Sequence, residues 1–182
     1  MVIAVGSSRT GRKFKTLEGD ALKIPPFLGE NYDAHWAGIS FRRKRILDVG
    51  ADVGSTASYF LEKGAETVYA VEGDPSLYRE LKVNAGRIKG IVPVRMWINS
   101  SEQISKLIKT YSPDVVKTDC EGCEVYLVDV PNEILVLVPE YLVEAHTEDV
   151  FNRIRRKFVQ NKYEVSTFTF KTVKIVAAKA KV

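Results

Sequence analysis

The sequence predicts a single α/β domain over residues 1–182, with a mostly parallel sheet, helices on both faces and a C-terminal antiparallel hairpin. Three observations predict it. From Arg45 onward, short apolar runs alternate with amphipathic stretches of helical period. Glycine, Asp-Pro and Ser/Thr residues punctuate the junctions where turns and helix caps belong. At 182 residues and 45% hydrophobic composition, the chain suits one domain with a substantial core, and it carries no internal repeat, low-complexity tract or linker.

The elements follow in order. Residues 1–44 are the least regular part, with a Gly-Ser-Ser turn, Pro25-Pro26 and scattered aromatics, and such a segment is placed to cover a substrate site. Arg45 to Val49 reads as the first strand, followed by a glycine-rich turn and a helix ending at Gly64. Thr67 to Val71 is the second strand. Asp74 then caps a helix with Pro75 at its first position, Leu77, Leu81, Ala85 and Ile88 on its apolar side, and Gly90 closing it. Ile91 to Ile98 is the third strand. Ser100 or Ser101 caps the next helix, where Ile104, Leu107, Ile108 and Tyr111 repeat at helical spacing. Val115 to Thr118 and Tyr141 to Ala145 are the fourth and fifth strands. Thr147 caps a last helix with Phe151, Ile154 and Phe158 inward, and Tyr163 to Phe168 with Lys171 to Ala178 forms the hairpin. In such sheets ligands bind beyond the carboxyl ends of the strands, where the strand order reverses.

Composition narrows the classes of function. No run of about 18 apolar residues exists, so no membrane span is expected. The opening Met-Val-Ile-Ala-Val-Gly has neither the basic leader nor the apolar length of a signal peptide, and a cytoplasmic location is expected. Net charge is +4, with clusters at Arg9, Arg12, Lys13 and Lys15, at Arg42, Arg43, Lys44 and Arg45, and at Arg153, Arg155, Arg156 and Lys157. Such clusters either meet phosphates or form a solvated surface flanking buried strands. The abundance of Lys, Arg and Glu beside scarce Cys, Met, Gln and His is a thermophile bias. Cys120 and Cys123 invite a redox or metal reading from their spacing, but two thiols do not complete a zinc site, and the acidic neighbours raise a thiol pKa. They read as structural cysteines.

The first strand runs into Asp48-Val49-Gly50-Ala51-Asp52-Val53-Gly54-Ser55. Gly50 permits a tight turn with close approach to a ligand, and Gly54 lets the helix start near the strand. A dinucleotide site prefers Gly-x-Gly-x-x-Gly, yet the middle glycine here is Asp52 and position 55 is serine. An acidic side chain repels a pyrophosphate. S-adenosylmethionine (SAM) carries no phosphate and bears an ammonium group, so the sign of the charge favours SAM over NAD. Glu72, about 20 residues beyond the glycines and followed by Gly73, is placed to accept both ribose hydroxyls. Asp48 is a candidate partner for the methionine amino group, directly or through water.

These residues resemble the FkbM family of SAM-dependent methyltransferases. The resemblance rests on ILDVGADVGSTASYF at 46–60, VYAVEGDP at 68–75, VKTDCEGCE at 116–124 and LVEAH at 142–146. It spans roughly residues 45 to 147 and implies a Rossmann-like class I methyltransferase sheet with SAM as cofactor. The family carries Asn where Asp52 stands and a longer stretch after the third strand, here cut to Trp97-Ile98-Asn99-Ser100-Ser101, which leaves Asn99 as the candidate reader of the adenine amino group. The resemblance implies oxygen methylation of a small molecule or sugar.

Methyl transfer from a sulfonium is an in-line displacement, so orientation and proximity supply most of the catalysis, and an acceptor also benefits from a nearby base. The candidates are Asp119, Glu121 and Glu124 after the fourth strand, and Glu144 and His146 at the fifth. His146 or Asp119 takes the acceptor proton, with Glu121 and Glu124 positioning the acceptor. The rim leaves room for a bridging metal, which the resemblance does not require, and none is assigned. No Asp/Asn-Pro-Pro-aromatic motif and no Pro-Cys pair occurs, which argues against adenine amino methylation and cytosine C5 chemistry. Competing readings are an RNA or protein methyltransferase holding its acceptor with the basic clusters, a nonenzymatic SAM-binding module, and an NAD-dependent oxidoreductase. The oligomeric state is not legible.

Overall fold

The computed structural model describes residues 5–7, 13–15, 32–36, 39–170 and 173–181. Most of the irregular N-terminal segment, including Arg9, Arg12 and Pro25-Pro26, lies outside the described residues. Two short strands, β1 (Val5–Ser7) and β2 (Lys13–Lys15), pair antiparallel on their own, and α1 (Tyr32–His35) is a single turn.

The main sheet has seven strands. They are β3 (Arg45–Val49), β4 (Thr67–Glu72), β5 (Ile91–Arg95), β6 (Val115–Thr118), β7 (Glu140–Ala145), β8 (Tyr163–Phe170) and β9 (Val173–Ala180). Their order is β5-β4-β3-β6-β7-β9-β8; the first five are mutually parallel, while β9 runs antiparallel to both β7 and β8. The expected α/β architecture with its closing hairpin is therefore present. The chain winds outward from β3 in both directions, so the switch point lies between β3 and β6.

Neighbouring residues on each central strand point to opposite faces, and both faces are apolar. Leu47, Val116, Tyr141 and Val143 enter one core layer with Ile104, Leu107, Ile154 and Phe158. Ile46, Val115, Leu142 and Ile175 enter the other with Trp36, Phe41, Phe60 and Leu81. The covering helices are α2 (Ser55–Glu62), α3 (Pro75–Ala85), α4 (Ser101–Tyr111), α5 (Asn132–Leu135) and α6 (Glu148–Gln160).

The helix starts follow local chemistry. Asp74 accepts from the N–H groups of Ser76 and Leu77, with Pro75 at the first position, and Thr147 accepts from Val150 N–H. Ser100 stands at the N-cap of α4 without a side-chain cap bond. Several boundaries differ from expectation. α3 ends at Ala85 rather than running to Gly90, β5 stops at Arg95 after a last bond from Met96 N–H to Glu72 O, α2 ends at Glu62 rather than Gly64, and β9 runs Val173–Ala180, the expected start at Lys171 lying outside the described residues. The 3-10 helix Cys123–Asp129 and α5 were not anticipated, both being too short to show a helical period. Among the described residues, no helix is long and apolar enough to cross a membrane.

Candidate functional site

The loops at the carboxyl ends of β3, β4, β6 and β7 converge beside the switch point. Gly50 has φ +78, and a Cβ there would lie 1.8 Å from the Asp119 carbonyl oxygen. Only glycine permits the loop after β6 to come this close. The expected close approach at Gly50 is therefore to neighbouring backbone. Glu72 accepts from Asp52 N–H at 2.9 Å through one oxygen and from Asp74 N–H at 2.8 Å through the other, which ties the β3 loop to the end of β4. Asp52 takes φ +51, and its Oδ1 is buried without a hydrogen-bond partner. Burial, with the Glu72 charge beside it, pushes the Asp52 carboxyl up to about 7. Gly73 is needed for close packing, since a Cβ would meet the Trp97 ring at 2.7 Å. Asn99 lies exposed on the next loop, its N–H donating to Gln103.

Asp48 and Lys117 are cross-strand partners on β3 and β6. Lys117 Nζ lies 2.8 Å from Asp48 Oδ1 and donates to the Gly50 carbonyl at 2.8 Å, and neither charged side chain reaches solvent. Thr56 donates to the other Asp48 oxygen at 2.6 Å. Asp48 is thereby enclosed, and direct contact with a ligand amino group would require Lys117 to leave. Burial alone would lower the Lys117 pKa, but the charges of Asp48 and Asp119 outweigh it and hold the ammonium above its ordinary value.

Period-two alternation carries Lys117 and Asp119, and likewise Glu144 and His146, toward one rim. His146 is its centre. Its Nδ1 lies 2.9 Å from Glu124 Oε1, and its Nε2 lies 3.5 Å from Glu121, 3.5 Å from Glu144 and 3.9 Å from Asp119. The bond to Glu124 is the largest influence on the imidazole and, despite opposing burial, raises it to about 9. Burial would raise Glu124, but the His146 bond and backbone N–H groups including Gly122 hold it below the usual carboxylate range. Burial raises Asp119 to about 6, with Lys117 opposing and Glu144 adding to the rise. Glu124 is only 1% exposed, with one oxygen on His146 and the other on Gly122 N–H. It therefore orients His146 and does not reach an acceptor, contrary to its expected role. Glu121 is held at φ +55 with its carboxylate outward.

Cys120 and Cys123 are joined by a disulfide that spans this turn, so the structural reading of the cysteines takes the form of a covalent clamp on the segment between Asp119 and Glu124.

Sequence reasoning missed Lys117, His35 and Trp36. Lys117 has a signal, a lone charge inside an apolar strand with an opposite charge at the matching position of the first strand. His35 and Trp36 have none, because they sit in an irregular segment. His35 Nε2 is 2.5 Å from Glu144 Oε2, Trp36 lies under the Lys117 ammonium at 5.6 Å, and Tyr32 donates to Ser55 at 3.2 Å. Ser55 is buried at the start of α2, and Val49 is a buried strand end whose carbonyl accepts from Asp119 N–H. Of the basic clusters, Lys44 pairs with Glu140 and Arg45 with Asp114 at the amino end of the sheet, opposite this site, while Arg153 pairs with Asp149 along α6.

No protein-family model matches the sequence, and no curated protein does. Solved structures do. M. jannaschii TYW2 in complex with AdoMet is similar with a TM-score of 0.63 at 16% identity, covering 97% of this chain and 85% of that one. Precorrin-6y C5,15-methyltransferase from Geobacter metallireducens matches with a TM-score of 0.57 at 15% identity, covering 76% and 80%. The Methanococcus jannaschii fibrillarin pre-rRNA processing protein matches with a TM-score of 0.58 at 15% identity, covering 79% and 70%. At these identities the likeness establishes the fold alone, a Rossmann-like α/β sheet. The FkbM resemblance rests on its motifs alone.

Proposed function

We propose that this chain is a SAM-dependent methyltransferase that acts on an oxygen of a small molecule or sugar, in the manner of the FkbM family. One observation carries the reading: at a single sheet end, a carboxylate-lined glycine loop (Asp52, Glu72) stands beside a separate acidic rim (Asp119, Glu144) centred on His146. The first suits a nucleoside with a cationic tail, and the second suits an acceptor that must lose a proton. The fold shared with structures such as the AdoMet complex supports it.

The residues present fit the cofactor. Asp52 Oδ1 is a buried oxygen without a partner, next to the Glu72 carboxylate, so the loop offers acceptors and no phosphate-binding charge. Glu72 would hold the ribose hydroxyls, with Gly50, Gly54 and Gly73 shaping the walls and Asn99 facing the adenine. Bound there, the cofactor supplies a methyl group on a sulfonium. Asp48 acts at one remove, fixing the Gly50 carbonyl through Lys117. Asp119, raised to about 6, takes the acceptor proton, while Glu124 orients the His146 imidazole and holds it protonated near neutral pH, and Glu121 lines the entrance. Tyr32, His35 and Trp36, which stand beside Ser55, Glu144 and Lys117, would wall the acceptor side in a covering role for the N-terminal segment.

Arg42 to Arg45 lend no support to an RNA acceptor, since they lie at the far end of the sheet and are partly neutralised there. The test is transfer of labelled methyl from SAM to a panel of hydroxylated small molecules, with RNA and protein in parallel. Label in the small-molecule fraction, lost in Asp119→Asn, is expected; label in RNA or protein alone would overturn the acceptor class.

A further inference from the structure

Both histidines of the chain converge on one carboxylate. His35 Nε2 bonds Glu144 Oε2 at 2.5 Å, and His146 Nε2 faces Glu144 Oε1 at 3.5 Å. Glu144 and His146 are each held from behind so that one donor atom points inward. Glu124, a buried carboxylate that also accepts from Gly122 N–H, takes His146 Nδ1, which leaves Nε2 as the inward donor. His35 occupies one oxygen of Glu144 and leaves the other. Asp119 adds the third donor. Among the described residues no hydrogen bond reaches its carboxylate, whose side chain is 24% exposed and whose nearest cations, Lys117 and His146, stand 3.9 Å away.

We propose that Asp119, Glu144 and His146 bind a divalent first-row transition ion of the Mn2+ or Zn2+ type. One donor atom from each lies within 4.8 Å of the other two. Donors around such an ion at about 2.1 Å stand roughly 3.0 to 3.4 Å apart, so small side-chain rotations close the cluster onto it. One imidazole nitrogen with two carboxylate oxygens favours a transition ion over Mg2+ or Ca2+, which take oxygen ligands alone. The backing contacts from Glu124 and His35 are the outer-shell bonds that such ligands carry. Charge points the same way. Four carboxylates, Asp119, Glu121, Glu124 and Glu144, surround the His146 ring, while the buried Lys117 ammonium is shared between Asp48 and Asp119.

Three protein donors leave coordination positions open, as in catalytic metal sites, and an acceptor hydroxyl is a group such a position takes. That last step rests on the methyltransferase reading, and ion binding itself does not. The experiment is titration of the full chain with Mn2+ followed by the loss of the free-ion electron paramagnetic resonance signal, with Zn2+ as competitor. One Mn2+ per chain is expected, displaced by Zn2+, with affinity falling at least about tenfold in Glu144→Gln and in Asp119→Asn, and by roughly 10- to 100-fold in the outer-shell variant Glu124→Gln. Glu148→Gln, an exposed control, leaves binding unchanged. Circular dichroism and S-adenosylhomocysteine calorimetry on the same variants separate loss of the ion site from loss of fold or cofactor site. No Mn2+ bound by the folded protein, or binding indifferent to the Glu144 and Asp119 substitutions, would overturn the proposal, even where the cofactor still binds.

Discussion

Lys117 Nζ and Asp48 Oδ1 lie 2.8 Å apart with both side chains sealed from solvent, on strands that are direct neighbours in register. Around them the layer is apolar, with Ala70 and Leu142 at the flanking register positions. A charge pair so placed is retained at the expense of desolvation, and here the ammonium also binds the Gly50 carbonyl, so the pair locks the glycine loop to strand β6.

Removing one partner strands the other. Lys117→Met is expected to destabilise the fold by about 3 to 5 kcal/mol, because it leaves Asp48 charged and buried. Lys117→Met combined with Asp48→Leu recovers much of that loss while still freeing the Gly50 carbonyl. Urea unfolding of the single and double variants measures both, and a single variant within about 0.5 kcal/mol of wild type would contradict the account.

Asp52 sets a pH dependence whose sign follows from its shift. Its carboxyl is pushed up to about 7 in the folded chain, above the ordinary value of 3.8, so the native state binds this proton more tightly than the unfolded state does. The contribution is present at low pH and is lost as pH rises through about 7. Asp52→Asn removes that dependence. The Tm difference between variant and wild type should grow in the variant's favour from pH 4 toward 8, read by calorimetric scans; a constant difference would contradict the assignment.

Gly50→Ala places a methyl group 1.8 Å from the Asp119 carbonyl oxygen at φ +78. The backbone strain alone costs about 1 to 2 kcal/mol, and relief of the clash must move Asp119. Lower stability together with weakened ligand binding is expected. A variant that loses stability but binds normally would separate the loop from the site.

The Cys120–Cys123 disulfide closes a very short loop, so reduction or a double Cys→Ser change should remove no more than roughly 2 kcal/mol of stability. Alkylation and mass measurement of the purified protein, with and without reductant, detects the bond.

The sheet was legible because its strands are short apolar runs separated by caps and glycines, and the switch-point rule then located the site. Asp48, Glu72, Asp119, Glu144 and His146 stood out as charges at strand ends. What stayed hidden depends on contacts far apart in sequence. His35 gains meaning only from Glu144, 109 residues away. Glu124 looked like a rim carboxylate because an unanticipated 3-10 helix, starting at Cys123, turns it inward beneath His146. The exact end of β5 was also out of reach, since Trp97 and Ile98 continue an apolar run while the backbone has already left the sheet.

The Glu72 and Asp52 loop is proposed as the SAM site. Calorimetric titration of S-adenosylhomocysteine into wild-type protein and Glu72→Ala, with NADH as control ligand, tests it most directly. Saturable binding to wild type is expected, abolished or strongly weakened in Glu72→Ala, with a stability gain of about 2.7 kcal/mol at a hundred times the dissociation constant. Binding of NADH in its place, or no binding of S-adenosylhomocysteine to the folded chain, would contradict it.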